Sequence, residues 1–570
     1  MLDASRSALR HVLAAAIALT MLNALKPFTE DDPSYDLHVR QVAQHPLDPY
    51  GGELFFRERL DPAVHNVAPP VPTYWLALGE RVSGDAPWIL KLWLLPFAVL
   101  FTATTFLLLR RFARGFERPG VWLLALSPAI LPSLNLMTDV PATALSLAAI
   151  TCFWSAANRS SVGRALAAGL IAGLAIQTKY TGFTVLAVLV AIGWMRGRLR
   201  FAVLACVVAM ACFVGWEAWV HARYGESQFL FFLGRRERGE TGPTGLALVR
   251  PLVRTLGPLA AALVPLGLLA LGAGRRWVIA AMAMVVAVHL VFGLAPPAVD
   301  RALAQIPGGH VLNIYNLTLG WLGPVLFALL AAVLWRLSAR RRSVATPAPA
   351  SRWRGNSETR FVEAWLAIEV LAYLGISTYP AARRMLGVYV VLTLVIARLA
   401  SRSLRAAPWR CRLVPAIVAT GVVLGLFYFA VDLDDAWAER HTVDRVQRTV
   451  RDAGGGPIWY LATNWGGFQY YARRAGLRAV VPGRSQLARG DWLVIPWNIE
   501  VKNRLTLADS CLDRGETIAW GQRLPVSTRD AFYHGTRPLR RTEDRWRAAT
   551  LYRVNQAGCL VGLQEHPHQP

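Results

Sequence analysis

The chain has 570 residues, 54% of them hydrophobic and 17% charged, with a mean hydropathy of +0.35 and a formal net charge of +25. Soluble domains carry about 25% charged residues and a strongly basic nucleic-acid binder would be polar, so both classes are excluded, as are collagen, coiled coils, disordered chains and small disulfide scaffolds. The basic excess is almost all arginine set between apolar runs, which is how cytoplasmic loops of a multi-span membrane protein read.

Crossing the hydrocarbon core takes roughly 20 apolar residues, and about thirteen such runs can be counted. They lie near 11–28, 88–109, 120–136, 140–158, 163–178, 181–195, 201–220, 252–273, 277–295, 316–337, 361–378, 385–399 and 413–431. The first is read as a span rather than a cleaved signal peptide, because it is long for an h-region, lacks an A-x-A site and leads into Lys26-Pro27. Pro128 and Pro132 interrupt 120–136, and only the polar knot Gln177 to Tyr180 separates 163–178 from 181–195.

Arginines fall at every second gap: Arg6 and Arg10, Arg110 to Arg114, Arg159 and Arg164, Arg196 to Arg200, Arg275 and Arg276, Arg340 to Arg342, and Arg402 to Arg412. The positive-inside rule therefore puts the N-terminus in the cytoplasm and the C-terminus outside. The first outside loop, 29–86, carries ten acids against four arginines. Residues 343–358 read as a cytoplasmic linker, and 1–432 as the polytopic domain. After it, 433–570 is charged and has no run long enough to cross; short apolar stretches at Ile458 to Ala462, Arg478 to Val481 and Trp492 to Pro496, with a helical pattern at 468–475, predict a small α/β outside domain. Cys511 and Cys559 share that oxidising side and are expected to pair, whereas Cys152, Cys206, Cys212 and Cys411 read as packing residues.

Ionisable groups near membrane depth are functional candidates. Four places stand out, all at outer ends of spans. Glu30-Asp31-Asp32 after the first span can supply a general base or hold a divalent cation, or can simply cap the next helix. Asp139, in Met137-Thr138-Asp139-Val140-Pro141, is a site acid or a cap. Lys179 is a phosphate-binding charge or a snorkelling one. Arg235, Arg236 and Arg238, with Arg383 and Arg384, run against the topology rule, and guanidinium forks suit phosphate oxygens. Acids beside bases at one membrane face suggest transfer of a group from a lipid-linked phosphate. No Walker loop, zinc helix or nucleophile elbow is present.

The ordered set of Asp31-Asp32, His45 to Gly51, Pro69 to Trp75, Asp139 in its Met-Thr-Asp-Val-Pro setting, Gly173 to Lys179 and Arg383-Arg384 resembles integral-membrane glycosyltransferases of the C-type fold, the group of aminoarabinose transferase and the dolichyl-phosphate-mannose protein mannosyltransferases. The resemblance covers about the first 400 residues and departs at Ala68, where relatives often carry Lys or His beside the proline pair. It implies an enzyme of the inner (plasma) membrane that passes a sugar, with inversion, from a polyprenyl-phosphate donor to a lipid, polysaccharide or protein acceptor outside. It further implies that Asp31 is the catalytic carboxylate, with Asp32 and Asp139 as further site acids. Lys179, Arg235 or Arg236, and Arg384 would then hold the lipid phosphate. No cofactor is obligatory on this reading, and a divalent cation is an option. The competing reading is a transporter or flippase for a polar lipid or solute; against it stand the absence of matching halves and of a charge at the centre of any span.

Overall fold

The computed structural model describes residues 2–560 except 57–58, 239–243, 295–317, 343–349, 406, 463–465, 482, 497–510, 520, 530, 536, 542–546 and 557–558. The chain divides into two compact units. One comprises Met1–Asn23, Leu92–Val431 and Val526–Arg541, the other Ala24–Lys91, Asp432–Pro525 and Thr542–Pro570.

The first unit is helical. Among the described residues eight helices are long and apolar enough to cross a membrane, or nine if one bent pair counts as a single span, against the thirteen or so expected. Four of the five differences are broken, bent or short helices, and the fifth, 361–378, falls in the continuous helix Ala350–Ile376, which is not among those apolar enough. Run 120–136 is not one helix: Glu117–Ala125 ends at Leu126, and Leu131–Ser133 is a 3-10 turn, because Pro128 and Pro132 remove backbone donors. Runs 163–178 and 181–195 form helices Val162–Ile176 and Thr184–Met195, of 15 and 12 residues. Run 252–273 bends by 86° between Gly245–Leu259 and Leu263–Leu271. Residues 343–349 of the expected linker lie outside the described residues, and 350–358 belong to helix Ala350–Ile376.

Small residues set the packing distances in this unit. A Cβ on Gly169 would fall 2.6 Å from the Ala205 carbonyl oxygen, and one on Gly173 would fall 2.8 Å from Cys212 Cβ. This pair of glycines, four apart, lets helix Val162–Ile176 lie directly on helix Leu199–Tyr224. Helix Leu386–Leu404 is buried along nearly its whole length and forms the centre of the unit.

The second unit is α/β. Its five-stranded sheet runs in the order Arg478–Val480, Ile458–Leu461, Trp492–Pro496, Arg547–Val554, Leu512–Ala519; the first two pairings are parallel and the last two antiparallel. Strand Trp492–Pro496 is wholly buried, as its unbroken apolar sequence requires of a strand covered on both faces. Helix Phe468–Arg474 makes the crossover, and Val443, Val446 and Val450 of helix Pro408–Asp452 pack with Tyr460, Trp492 and Leu551 in the core. The three strands and the helix predicted from sequence are all present. Cys511 is disulfide-bonded, the Cys559 side chain lies outside the described residues, and Cys152, Cys206, Cys212 and Cys411 are free.

In the same unit, helices Asp32–Gln44 and Val71–Ser83 pack together through His38, whose Nδ1 lies 3.3 Å from Thr73 Oγ1 and whose ring stacks on Tyr50. Burial pushes the His38 imidazole down to about 3. The unfolded chain, with an ordinary histidine near 6.5, then binds the proton that the folded one refuses between these values. Stability is therefore full above pH 6.5 and falls by about 1.4 kcal/mol per pH unit below it. Unfolding midpoints of the wild type between pH 7.5 and 5 should drop more steeply than those of His38→Gln; parallel curves would contradict this.

Candidate functional site

In the helical unit, three breaks between helices converge on one carboxylate. Helix Asp139–Arg159 starts with Asp139 in its first turn, where the macrodipole favours an acid. That cap role does not exhaust it, because Asp139 is 4% exposed and ion-paired. Lys179 enters from the break after helix Val162–Ile176. It stands in extended conformation ahead of the 3-10 turn Tyr180–Phe183. Only glycine fits at 182, since a Cβ there would fall 2.7 Å from the Ala175 backbone; this fold-back delivers the Lys179 ammonium to Asp139 Oδ1.

Arg383 and Arg384 come from the third break, in the 3-10 turn Ala382–Met385. Arg383 Nη1 lies 3.6 Å from Asp139 Oδ2 and 3.1 Å from Met137 Sδ, and its Nη2 donates to the Tyr379 hydroxyl at 2.8 Å. The Arg384 guanidinium sits 3.9 Å from the centroid of the Tyr379 ring and has no carboxylate partner among the described residues. Three cations thus act on one acid; Asp139, Arg383 and Arg384, though not Lys179, stand at one end of a cleft whose walls include Thr143, Ser146, Glu369, Tyr373 and Gly387. A positive excess in a place shielded from water is an anion site, and two adjacent guanidinium groups suit phosphate oxygens.

Segment 526–541 braces these breaks within the same unit. Phe532 O accepts from Ala382 N at 2.8 Å. The Tyr533 hydroxyl donates to Pro132 O and accepts from Asn135 Nδ2, each at 3.1 Å. A stretch that the sequence assigns to the outside domain therefore holds the turns that carry Asp139 and Arg383. Nothing in its composition signals this role. Tyr379 was also missed; its signal was its place just ahead of two outer arginines.

Arg235 and Arg236 stand in the last turn of helix Gln228–Glu237, with Arg235 5.9 Å from the Phe231 ring centroid, and neither lines the cleft. The helix is nevertheless tied to the neighbour of Lys179. The Tyr180 hydroxyl donates to Glu217 Oε1 at 2.9 Å and lies 3.2 Å from Gln228 Oε1, while Ser227 Oγ donates to Glu217 Oε2 at 2.6 Å. One more expectation needs correction: Glu369 stands at the middle of run 361–378, a charge in a span centre that the surrounding apolar residues had masked.

In the α/β unit the two neighbouring aspartates separate in environment. Asp32 is fully buried; its Oδ2 accepts from Thr29 N at 3.2 Å and lies 3.4 Å from Lys91 Nζ. Asp31, at the N-cap of helix Asp32–Gln44, makes no side-chain cap bond and is half-buried. The loop before them is fixed by Lys26 Nζ on Asp432 at 2.5 Å, by Lys91 Nζ on the Lys26 and Pro27 carbonyls, and by Glu439 Oε2, which accepts from Thr29 Oγ1 at 3.3 Å. Asp32 is thereby a structural partner of Lys91, and Asp31 the more accessible carboxylate. Among the described residues no group of three or more His, Cys, Asp or Glu side chains gathers as a metal site would require.

No protein-family description and no curated protein matches the chain. Solved structures do. The archaeal oligosaccharyltransferase AglB from Archaeoglobus fulgidus, in complex with an inhibitory peptide and a dolichol-phosphate, is 12% identical over 87% of this chain and 69% of its own, with a TM-score of 0.48. ArnT from Cupriavidus metallidurans, bound to undecaprenyl phosphate, is 14% identical over 95% and 97%, with a TM-score of 0.42. The arabinosyltransferase EmbB from Mycobacterium smegmatis is 17% identical over 90% and 45%, with a TM-score of 0.33.

Asp139→Ala would leave Lys179 and Arg383 beside each other without their shared carboxylate. It should cost about 3–5 kcal/mol of stability, read as a lowered thermal midpoint in detergent. Adding Lys179→Met to the same chain should recover part of the loss. An unchanged midpoint in Asp139→Ala would show that the three groups do not depend on one another.

Proposed function

We propose that this chain is a multi-pass membrane glycosyltransferase that moves a sugar from a polyprenyl-phosphate carrier to an acceptor on the extracytoplasmic face. The observation that carries the reading is the gathering of Lys179, Arg383 and Arg384 around Asp139 at a cleft mouth between apolar helices. Such a cluster neutralises a phosphate and stabilises it as a leaving group. The acceptor hydroxyl attacks the anomeric carbon as the bond to the phosphate oxygen breaks. Asp31 takes the hydroxyl proton, and the sugar inverts. Asp32 keeps the Asp31 turn in place through Lys91. Arg235 and Arg236 contribute to the anion field from the helix anchored on Tyr180. The arginine alternation supports an N-terminus in the cytoplasm and a reaction on the outer side of the inner membrane. The acceptor is a lipid, a polysaccharide or a protein. No step in this reading is routed through a divalent cation.

The 86° break between Gly245–Leu259 and Leu263–Leu271, together with Glu369 in mid-span, favours a second reading as a transporter of a polar lipid, since broken helices and midplane charges are common in that class. The two readings differ in whether a covalent bond breaks. Purified protein in lipid, supplied with a panel of polyprenyl-phosphate sugars and acceptor extract, should release free polyprenyl phosphate, and Asp31→Asn should lower that release by about 10²–10⁴-fold. Movement of intact donor across the bilayer without release would establish the transporter instead.

A further inference from the structure

The cleft does not end at its cations. Along helix Asp139–Arg159 its wall extends from Asp139 to Ile150, about 16 Å of helix rise, and along helix Ala350–Ile376 it reaches from Ile376 down to Trp365. The deep end, at Ile150, Leu147 and Trp365, is apolar. Between this floor and the cationic mouth lies a polar belt of Thr143, Ser146, Glu369 and Tyr373.

Glu369 is the unexpected member. One of its oxygens accepts from Nε1 of the fully buried Trp365 at 3.0 Å, and no Lys, Arg or His among the described residues pairs with it. Room for the other oxygen comes from Gly387: the position a Cβ would take there is filled by Glu369 Oε2. A side chain at 387 would push the carboxylate away, so this glycine makes its place. Tyr373, one turn nearer the mouth, is 5% exposed, and among the described residues neither its hydroxyl nor the Arg384 Nε has a hydrogen-bond partner. Buried polar atoms are normally satisfied, and these two line the same cleft as the half-buried Glu369 carboxylate. A hydrocarbon tail would leave all of them unsatisfied, whereas a ring carrying several hydroxyl groups offers both donors and acceptors at this level.

Resting on the transferase reading above, we infer that Glu369 and Tyr373 form a sugar subsite, in which the Glu369 carboxylate accepts from ring hydroxyls of the donor and the Tyr373 hydroxyl bonds a ring oxygen, while Lys179, Arg383 and Arg384 hold the phosphate. Glu369 thus selects the sugar-bearing carrier over the bare one.

The test compares binding of undecaprenyl phosphate with binding of undecaprenyl phosphate bearing glucose, mannose, galactose or arabinose, using the full chain in lipid nanodiscs. Wild type should bind at least one sugar-bearing carrier more tightly than the bare one. Glu369→Ala should erase that preference, by about tenfold or more, with bare-carrier affinity unchanged. Glu369→Gln, which keeps the shape, and Tyr373→Phe should each lose part of it, while Arg384→Gln should weaken both ligands alike. A wild type that does not distinguish the carriers, or a Glu369→Ala that loses both equally or neither, overturns the subsite and leaves the phosphate site standing. A wild type that binds no carrier at all overturns the transferase reading itself.

Discussion

A charge away from water is costly unless it is paired, and in the helical unit one carboxylate lowers that cost for two cations. Asp139 accepts from Lys179 and faces Arg383, which arrive from separate breaks between helices. Each break is itself an exception to an apolar run: Pro132 before Asp139, the knot Gln177 to Tyr180 with its obligatory Gly182, and the turn Ala382–Met385. Backbone freed from helical bonding is tolerated at such depth only where it is buried in protein or lines a polar cavity. The breaks and the ion cluster are therefore one construction, and segment 526–541 locks it by hydrogen bonds to Pro132, Asn135 and Ala382. Arg384, left over once Asp139 is shared, is the charge available to a ligand, held broadside on Tyr379.

The α/β unit solves the same problem differently. It pairs Lys26 with Asp432 and Lys91 with Asp32, and it brackets Asp36 between Arg40 and Arg473. What remains half-buried at the start of helix Asp32–Gln44 is Asp31. Two adjacent aspartates of identical chemistry acquire different roles because helix geometry turns one inward to an ammonium and leaves the other at the cap.

Much of this was legible in the sequence because it rests on local rules. Apolar run lengths gave the helical class, the alternating strands gave the α/β unit, and the cost of ionisable groups at span ends pointed to Asp139, Lys179 and Arg384. The rest was not legible for equally physical reasons. Run length cannot distinguish a straight span from the bent pair at Leu259 and Leu263, or from the short helices on either side of Lys179. A single carboxylate such as Glu369 barely changes the hydropathy of an 18-residue window. The bracing by Tyr533 joins positions some 400 residues apart, and no periodicity reports on that.

The central claim is that the cations around Asp139 bind the phosphate of a polyprenyl carrier. It is tested most directly by a cryo-EM structure of the protein in nanodiscs with undecaprenyl phosphate bound. The account predicts phosphate density within hydrogen-bonding distance of the Arg384 guanidinium and the Lys179 ammonium, at the mouth of the cleft. Phosphate density at another place, with the Asp139 cluster unchanged and empty of ligand, would contradict it.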